Sequence, residues 1–160
     1  VEKQAWYTGE FAKRAGDKPF VLATDAVIAA LHTVGAKRFG MMSPLSVENS
    51  QSAVDYYTAL GFDVALATAL LVDKPENAVN VPMERVIEAF EEVDGPDIDT
   101  LLHVGGSLGI VPLIAELEDR FKKPVISVNQ ATYWYALRRM GITDPIPGFG
   151  ELMLKADIVD

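Results

Sequence analysis

The sequence has no cysteine among its 160 residues. This excludes a disulfide framework, a thiolate metal site and a cysteine nucleophile supplied by this chain. Histidine is scarce as well, since only two are present, and they form no metal-ligand spacing with the carboxylates. The sequence also has no phosphate-binding loop and no dinucleotide fingerprint after its first strand. It therefore predicts no metal and no cofactor, with a flavin on a flavodoxin-like fold as the open alternative.

Basic residues and long apolar runs are also few. The chain has 14 basic and 23 acidic residues, a net charge of −9 and a pI near 4.7. Such a balance repels a phosphate backbone or an anionic membrane surface, so we expect no nucleic-acid and no membrane partner. The longest apolar run, 64–72, is too short to span a bilayer, and the first twenty residues are too charged for a signal peptide. We predict a cytoplasmic protein.

A hydrophobic content of 49% is enough for one packed domain. Short apolar runs alternate with longer amphipathic stretches, which is typical of a parallel sheet covered by helices on both faces. Strands are predicted at 20–24, 38–43, 63–68, 100–104 and 124–128, and helices at 2–15, 25–34, 47–60, 83–93, 108–121 and 131–140. We predict an α/β fold with a parallel four-stranded sheet of the Rossmann or flavodoxin-like kind, plus a hinge strand at 20–24 shared with a partner half.

This single domain is expected to cover residues 1–160. Its parts are an amino-terminal helix with the hinge strand at 1–24, a core at 25–142, and a closing loop and tail at 143–160. The helix at 2–15 has no strand before it, whereas helices of a doubly wound fold normally follow strands. We therefore expect a missing amino-terminal half or a second subunit to pack against it.

Ligands of open α/β sheets bind beyond the carboxyl ends of the strands. In the HVGGSLG stretch at 103–109, two glycines follow a strand, so the backbone can approach a ligand and the N–H groups of the next helix start can face an anion. Gly105, Gly106 and Ser107 are therefore binding candidates. The alternative is an ordinary strand-to-helix turn with Ser107 as N-cap. Ser43 and Asn129, which follow other strands, are further binding candidates.

His103 and Ser107 are the candidates for chemistry. Strand alternation places His103 on the same face as Gly105, beneath the expected pocket, where it could act as an acid or base. The alternative is a hydrogen-bonded core histidine. Ser107 could be a nucleophile only beside a base, and the sequence shows no Ser–His–acid spacing.

Three segments carry a resemblance to a known family. KPVISVNQATYWYALRRMGI at 123–142 resembles the Asn-Gln-Ala-Thr turn and Trp-containing helix of maleate cis-trans isomerases and arylmalonate decarboxylases, in the Asp/Glu racemase superfamily. FVLATDAVIAALHTVGAKRFGMMSPL at 20–45 and ITDPIPGFGELM at 142–153 are similar to the hinge region and the closing loop of that family. The order of elements agrees from about 19 to 153.

The resemblance implies two similar halves that hold a small carboxylate in the cleft between them. Each half supplies one catalytic position, usually a cysteine in isomerases and racemases, and this chain resembles only the hinge and the second half. The second-half cysteine aligns with Gly105, a tyrosine is replaced by Leu45, and a substrate-binding asparagine falls near Lys74. Lys74 could pair with a carboxylate in its place.

The resemblance therefore implies a maleate isomerase-like or arylmalonate decarboxylase-like protein that acts on, or binds, a small carboxylate or dicarboxylate. Thiol chemistry is absent from this chain because it has no cysteine. The alternative is a carboxylate-binding or assembly protein without catalysis. The expected partners are a small carboxylate ligand and either further copies of the chain or an amino-terminal half.

Overall fold

The computed structural model describes residues 2–159, and side chains from residue 4 onward. Six α-helices and four β-strands of that region define the fold. They are α1 (Glu2–Ala15), α2 (Ala23–Val34), β1 (Arg38–Ser43), α3 (Val47–Ala59), β2 (Asp63–Ala69), α4 (Met83–Val93), β3 (Thr100–His103), α5 (Ile114–Phe121), β4 (Val125–Ser127) and α6 (Val128–Arg139). Short 3₁₀ helices lie at Pro75–Asn80, Val111–Leu113 and Glu151–Leu154.

The four strands form one parallel sheet in the order β2-β1-β3-β4, which confirms the predicted fold class. Met41 of β1 pairs with Leu102 of β3, and Leu102 pairs with Ile126 of β4. Parallel neighbours share one direction, so all four strands present their carboxyl ends at the same edge of the sheet. That edge is where a ligand site is expected.

Two hydrophobic clusters cover the two faces of the sheet. Met41, Leu102 and Ile126 pack with helices α2, α3 and α6 on one face. Met42, Leu101 and Val125 pack with α4 and α5 on the other. Adjacent strand residues enter opposite clusters, as the period of two in a strand requires. Both faces are therefore buried, as expected for an all-parallel sheet.

The hinge strand predicted at 20–24 is wrong. Residues 19–22 are an irregular connection, and α2 begins at Ala23, two residues before its predicted start, with Leu22 as its N-cap. A strand exists only beside a pairing partner, and no strand of residues 2–159 lies next to this segment. Asp25 instead lies in the first turn of α2, where its negative charge is favourable next to the helix dipole.

Helix boundaries at the ligand edge also differ from the prediction. The helix predicted from 108 begins at Ile114, because residues 111–113 form a 3₁₀ turn around Pro112. The helix predicted from 131 begins at Val128, since Ser127 and Gln130 form a capping box at its start. Within residues 2–159, every helix is too short or too polar to cross a bilayer.

Candidate functional site

The double glycine after β3 lies between two neighbouring elements. Gly105 has a φ of +112°, and an ideal Cβ on it would lie 2.6 Å from Cδ of Pro44, the residue after β1. An ideal Cβ on Gly106 would lie 2.8 Å from Oδ1 of Asn129, in the first turn of α6. The φ and the Pro44 ring together favour glycine at position 105. A side chain at position 106 would have to displace the Asn129 amide.

Asn129 is bonded to this turn directly. Its Nδ2 donates to the Gly106 carbonyl at 2.9 Å, and the Leu108 N–H closes the turn on the Gly105 carbonyl at 3.3 Å. The N–H groups of Gly106 and Ser107 make no backbone hydrogen bond within residues 2–159, and both residues are exposed. Gly105, Gly106, Ser107 and Asn129 are thus brought together, with two N–H donors available to a ligand.

The helix predicted to start at 108 does not supply N–H groups at this edge of the sheet. Ser107 is not an N-cap, because α5 begins seven residues later at Ile114. Helix α3 starts closer to the turn: its N-cap Ser46 accepts the Asn49 N–H, and Leu45 Cδ2 lies 3.8 Å from the ideal Cβ of Gly105. The starts of two helices therefore lie beside the double glycine, that of α3 and that of α6, whose first turn holds Asn129.

Two buried side chains at the strand ends have unpaired polar atoms. Ser43 Oγ at the end of β1 and His103 Nε2 at the end of β3 have no hydrogen-bond partner within the described part of the chain, and both residues are fully buried. They lie on opposite faces, since Ser43 alternates with Met42 and His103 alternates with Leu102. An unpaired buried hydroxyl is a costly arrangement that a hydrogen-bonding ligand would relieve.

His103 is held as a neutral imidazole. Its Nδ1 lies 3.2 Å from Ser127 Oγ on β4, and burial lowers the pKa of His103 to about 4. The ring reaches no solvent, so an acid or base role would require the turn above it to move. Among the described residues, no three His, Asp or Glu side chains come together as a metal site would require.

Lys74 follows the strand at the other edge of the sheet from Asn129. It is the exposed N-cap of the 3₁₀ helix Pro75–Asn80 that follows β2, whereas Asn129 follows β4. These strands form opposite edges of the sheet, but the chain after β2 turns back toward β1, because the Val72 N–H donates to the Pro44 carbonyl at 3.1 Å. Lys74 therefore follows a segment that is bonded to the residue facing Gly105.

Gln130 was not among the predicted site residues, although it follows β4 beside Asn129. Its Oε1 accepts the Ser127 N–H at 3.3 Å, and its Nε2 donates to the Phe149 carbonyl at 2.7 Å. One side chain therefore fixes the start of α6, with Asn129 in its first turn, and ties the closing loop to it. The S-x-x-Q spacing at 127–130 was the available signal, because it is the pattern of a capping box.

Comparisons with known proteins agree with this architecture. The family model described as arylmalonate decarboxylase matches residues 8–153. Maleate isomerase from Geobacillus stearothermophilus is 26% identical over 144 residues, which are 89% of this chain and 57% of that protein. Maleate isomerase from Pseudomonas putida is 27% identical over 145 residues, covering 86% of this chain and 56% of that protein.

Solved structures show the same fold. A Nocardia farcinica maleate cis-trans isomerase mutant with a covalently bound succinylcysteine intermediate has a TM-score of 0.84 at 24% identity, covering 91% of this chain and 61% of that one. A crystal structure of arylmalonate decarboxylase has a TM-score of 0.82 at 23% identity, covering 96% of this chain and 68% of that one. The chain spans little more than half the length of the curated relatives it matches. With a family model matched across residues 8–153, the chain belongs to the arylmalonate decarboxylase family.

Proposed function

We propose that this chain binds a small carboxylate or dicarboxylate at the turn of Gly105, Gly106 and Ser107. The observation that carries the proposal is the pair of exposed N–H groups at Gly106 and Ser107, which have no backbone acceptor within residues 2–159. Successive backbone N–H groups form a concave anion site whose partial positive charge does not depend on pH. The net charge of −9 is compatible with this, because local donors decide binding.

Nearby groups would complete such a site. The Ser107 hydroxyl is adjacent to the N–H donors, the second N–H of the Asn129 amide is not used by Gly106, and the start of α3 adds a favourable dipole. Ser43 Oγ is a buried hydroxyl that has no hydrogen-bond partner in the described part of the chain. For a dicarboxylate, we propose that Lys74 pairs with the second carboxylate from the far side of β1.

The proposed chemistry is that of a maleate isomerase-like or arylmalonate decarboxylase-like protein to which this chain contributes no thiol. The Nocardia farcinica structure holds a succinylcysteine, which is a covalent adduct on a cysteine of that protein. This chain has no cysteine and cannot form such an adduct itself. Any acid–base or nucleophilic step on this chain would use His103 or Ser107.

The second candidate is carboxylate binding without catalysis, with a role in assembly. The observation that favours it is the state of both candidate groups: His103 is buried and neutral, and Ser107 lies on an exposed turn outside the sheet. Neither has the activated geometry of a nucleophile beside its base. Turnover separates the two candidates, whereas binding alone does not.

Calorimetric titration of the chain with malonate, phenylmalonate, maleate, FMN and ATP tests the proposal. We expect at least one carboxylate to bind more tightly than either nucleotide. We expect Ser107→Ala to weaken that binding, while Ser52→Ala, an exposed control on α3, leaves it unchanged. Tighter binding of FMN or ATP than of every carboxylate would refute the proposal. Incubation with maleate or phenylmalonate, followed by product analysis, then decides between turnover and binding alone.

Self-association is also proposed, with an amino-terminal half as the alternative partner. On α1, Trp6, Tyr7 and Phe11 are 62%, 51% and 50% exposed, which is unusual for large aromatic side chains. Light scattering of the wild type and of Trp6→Glu/Phe11→Glu tests whether copies of this chain cover α1. A monomeric wild type would exclude self-association as the explanation. The cytoplasm stays the predicted location.

A further inference from the structure

We propose that Asn129 is a positioning residue of the carboxylate site, and that it acts by orienting the peptide group between Gly106 and Ser107. This inference rests on the proposed function in one respect, namely that the double-glycine turn is the site. This role is separate from any contact that the second Asn129 N–H makes with a ligand, because the first N–H already donates to the Gly106 carbonyl at 2.9 Å.

The effect of that hydrogen bond follows from peptide geometry. A trans peptide is planar, so the Gly106 C=O and the Ser107 N–H point in opposite directions. Asn129 belongs to the first turn of α6, and the hydrogen bond holds the Gly106 carbonyl toward that helix. The Ser107 N–H is therefore directed away from α6. In this orientation it has no backbone acceptor within residues 2–159 and can donate to a ligand.

The orientation of the Gly106–Ser107 peptide depends on the Asn129 hydrogen bond, because a glycine restrains its own backbone only weakly. Gly106 has no side chain, so its ψ angle could otherwise rotate and exchange the carbonyl and the N–H at the site. Pro44 blocks one side of the turn at Gly105, and Asn129 Oδ1 closes the other side at Gly106. Asn129 is itself held, because the Ser127–Gln130 capping box fixes the start of α6.

Amide signals of the ligand-free protein give a readout that does not require binding. ¹⁵N-labelled wild type, Asn129→Ala and Asn129→Asp are compared with Asn80→Asp, which makes the same charge change at an exposed position after β2. We expect both Asn129 variants to shift the Ser107 amide signal. Asn80→Asp should leave it unchanged. A Ser107 amide that is identical in all four proteins would overturn the inference.

Malonate titrations of the same proteins measure the consequence at the site. We expect Asn129→Ala to raise the Kd about tenfold, roughly the effect of losing one hydrogen bond. Gly106→Ala should weaken binding too, because the added Cβ must displace Asn129. Since both changes act on one contact, the double variant should lose much less than the product of the two separate factors. Independent, fully multiplicative losses would contradict a role through Gly106.

The proposed carboxylate site and the proposed role of Asn129 are refuted by different results. If wild-type protein binds none of malonate, phenylmalonate or maleate, the proposed function fails, while the ligand-free Ser107 signals still decide whether Asn129 orients the peptide. If the wild type binds but Asn129→Ala binds equally well, the site stands and the positioning role is overturned.

Discussion

Gly105 and Pro44 approach each other so closely that a Cβ atom on Gly105 would lie 2.6 Å from Pro44 Cδ. The φ of +112° at Gly105 is also a conformation that other residues rarely adopt. By resemblance, the family cysteine aligns with this residue, yet the backbone here has no room for a side chain. The neighbouring Val104 directly follows β3, is 8% exposed and already carries a side chain. Space for a thiol at this strand end therefore exists at position 104.

A pair of cysteine variants one residue apart tests this geometry. We expect Gly105→Cys to lower the free energy of unfolding by about 3 kcal/mol, from backbone strain and overpacking against Pro44. Val104→Cys should lose only about 1 kcal/mol, because it removes little buried volume. Gly105→Ala should resemble Gly105→Cys if the Cβ is the cause. Urea unfolding measures all three, and a Gly105→Cys variant as stable as the wild type would show that the turn relaxes freely.

The buried His103 should make stability depend on pH. Burial lowers its pKa to about 4 in the folded protein, so the unfolded chain takes up the proton first as the pH falls. The free energy of unfolding should then decrease by about 3 kcal/mol between pH 6.5 and pH 4. His103→Gln cannot titrate and should lose this part of the decrease. The exposed His32→Gln should retain it, and urea unfolding at several pH values measures the difference.

Local patterns predicted much of the fold. The bounds of α1, α4 and β1 agree with the structure, because apolar periodicity and a Pro before α4 mark them within a few residues. That the turn at Gly105 and Asn129 lie at the same edge of the sheet was also predictable, since both follow strands of one parallel sheet. Which strands are neighbours was not predictable from these patterns, and the order β2-β1-β3-β4 places the strands before Lys74 and Asn129 at opposite edges of the sheet.

Features that depend on distant partners escaped prediction. The 20–24 segment has strand-like composition, but no neighbour to pair with in residues 2–159. The contact of Pro44 with Gly105 joins segments 61 residues apart in the chain, and no local pattern indicates it. The spacing of Ser127 and Gln130 indicates a capping box. The second hydrogen bond of Gln130, to the Phe149 carbonyl, depends on where the closing loop returns to the sheet edge.

Glu118 should stabilise the edge of the sheet. Its Oε1 accepts the Val125 N–H at 3.1 Å and its Oε2 accepts the Glu151 N–H at 2.8 Å, so one carboxylate joins β4 to the closing loop. Glu118→Gln leaves a single acceptor oxygen for two donors, and we expect a loss of about 2 kcal/mol. Glu116→Gln, on an exposed position of the same helix, should cost far less. Urea unfolding and hydrogen exchange of the Val125 and Glu151 amides measure the effect, and equal stability of both variants would contradict it.

Arg138 anchors the carboxyl-terminal segment without a carboxylate partner among its hydrogen bonds. Only 7% of the residue is exposed, and its guanidinium donates to three backbone carbonyls. Nε bonds the Lys155 carbonyl at 2.7 Å, Nη1 bonds Ile142 at 2.7 Å, and Nη2 bonds Met153 at 3.2 Å. These acceptors belong to two segments, the turn after α6 and the last 3₁₀ helix with its C-cap Lys155, which a planar, multidentate donor can reach together.

Lysine should therefore fail at this position although it keeps the charge. The ammonium of Arg138→Lys is a compact donor that cannot reach three spread carbonyls, so some of these acceptors lose their partner. We expect a loss of about 3 kcal/mol in the free energy of unfolding, with faster hydrogen exchange at the Val159 amide, which donates to Thr33 Oγ1 in the tail. The matched control is Arg139→Lys, one residue along the same helix and exposed, which should stay within about 0.5 kcal/mol of the wild type. If both lysine variants unfold at the same urea concentration, charge alone holds the tail and the geometry of the guanidinium is not needed.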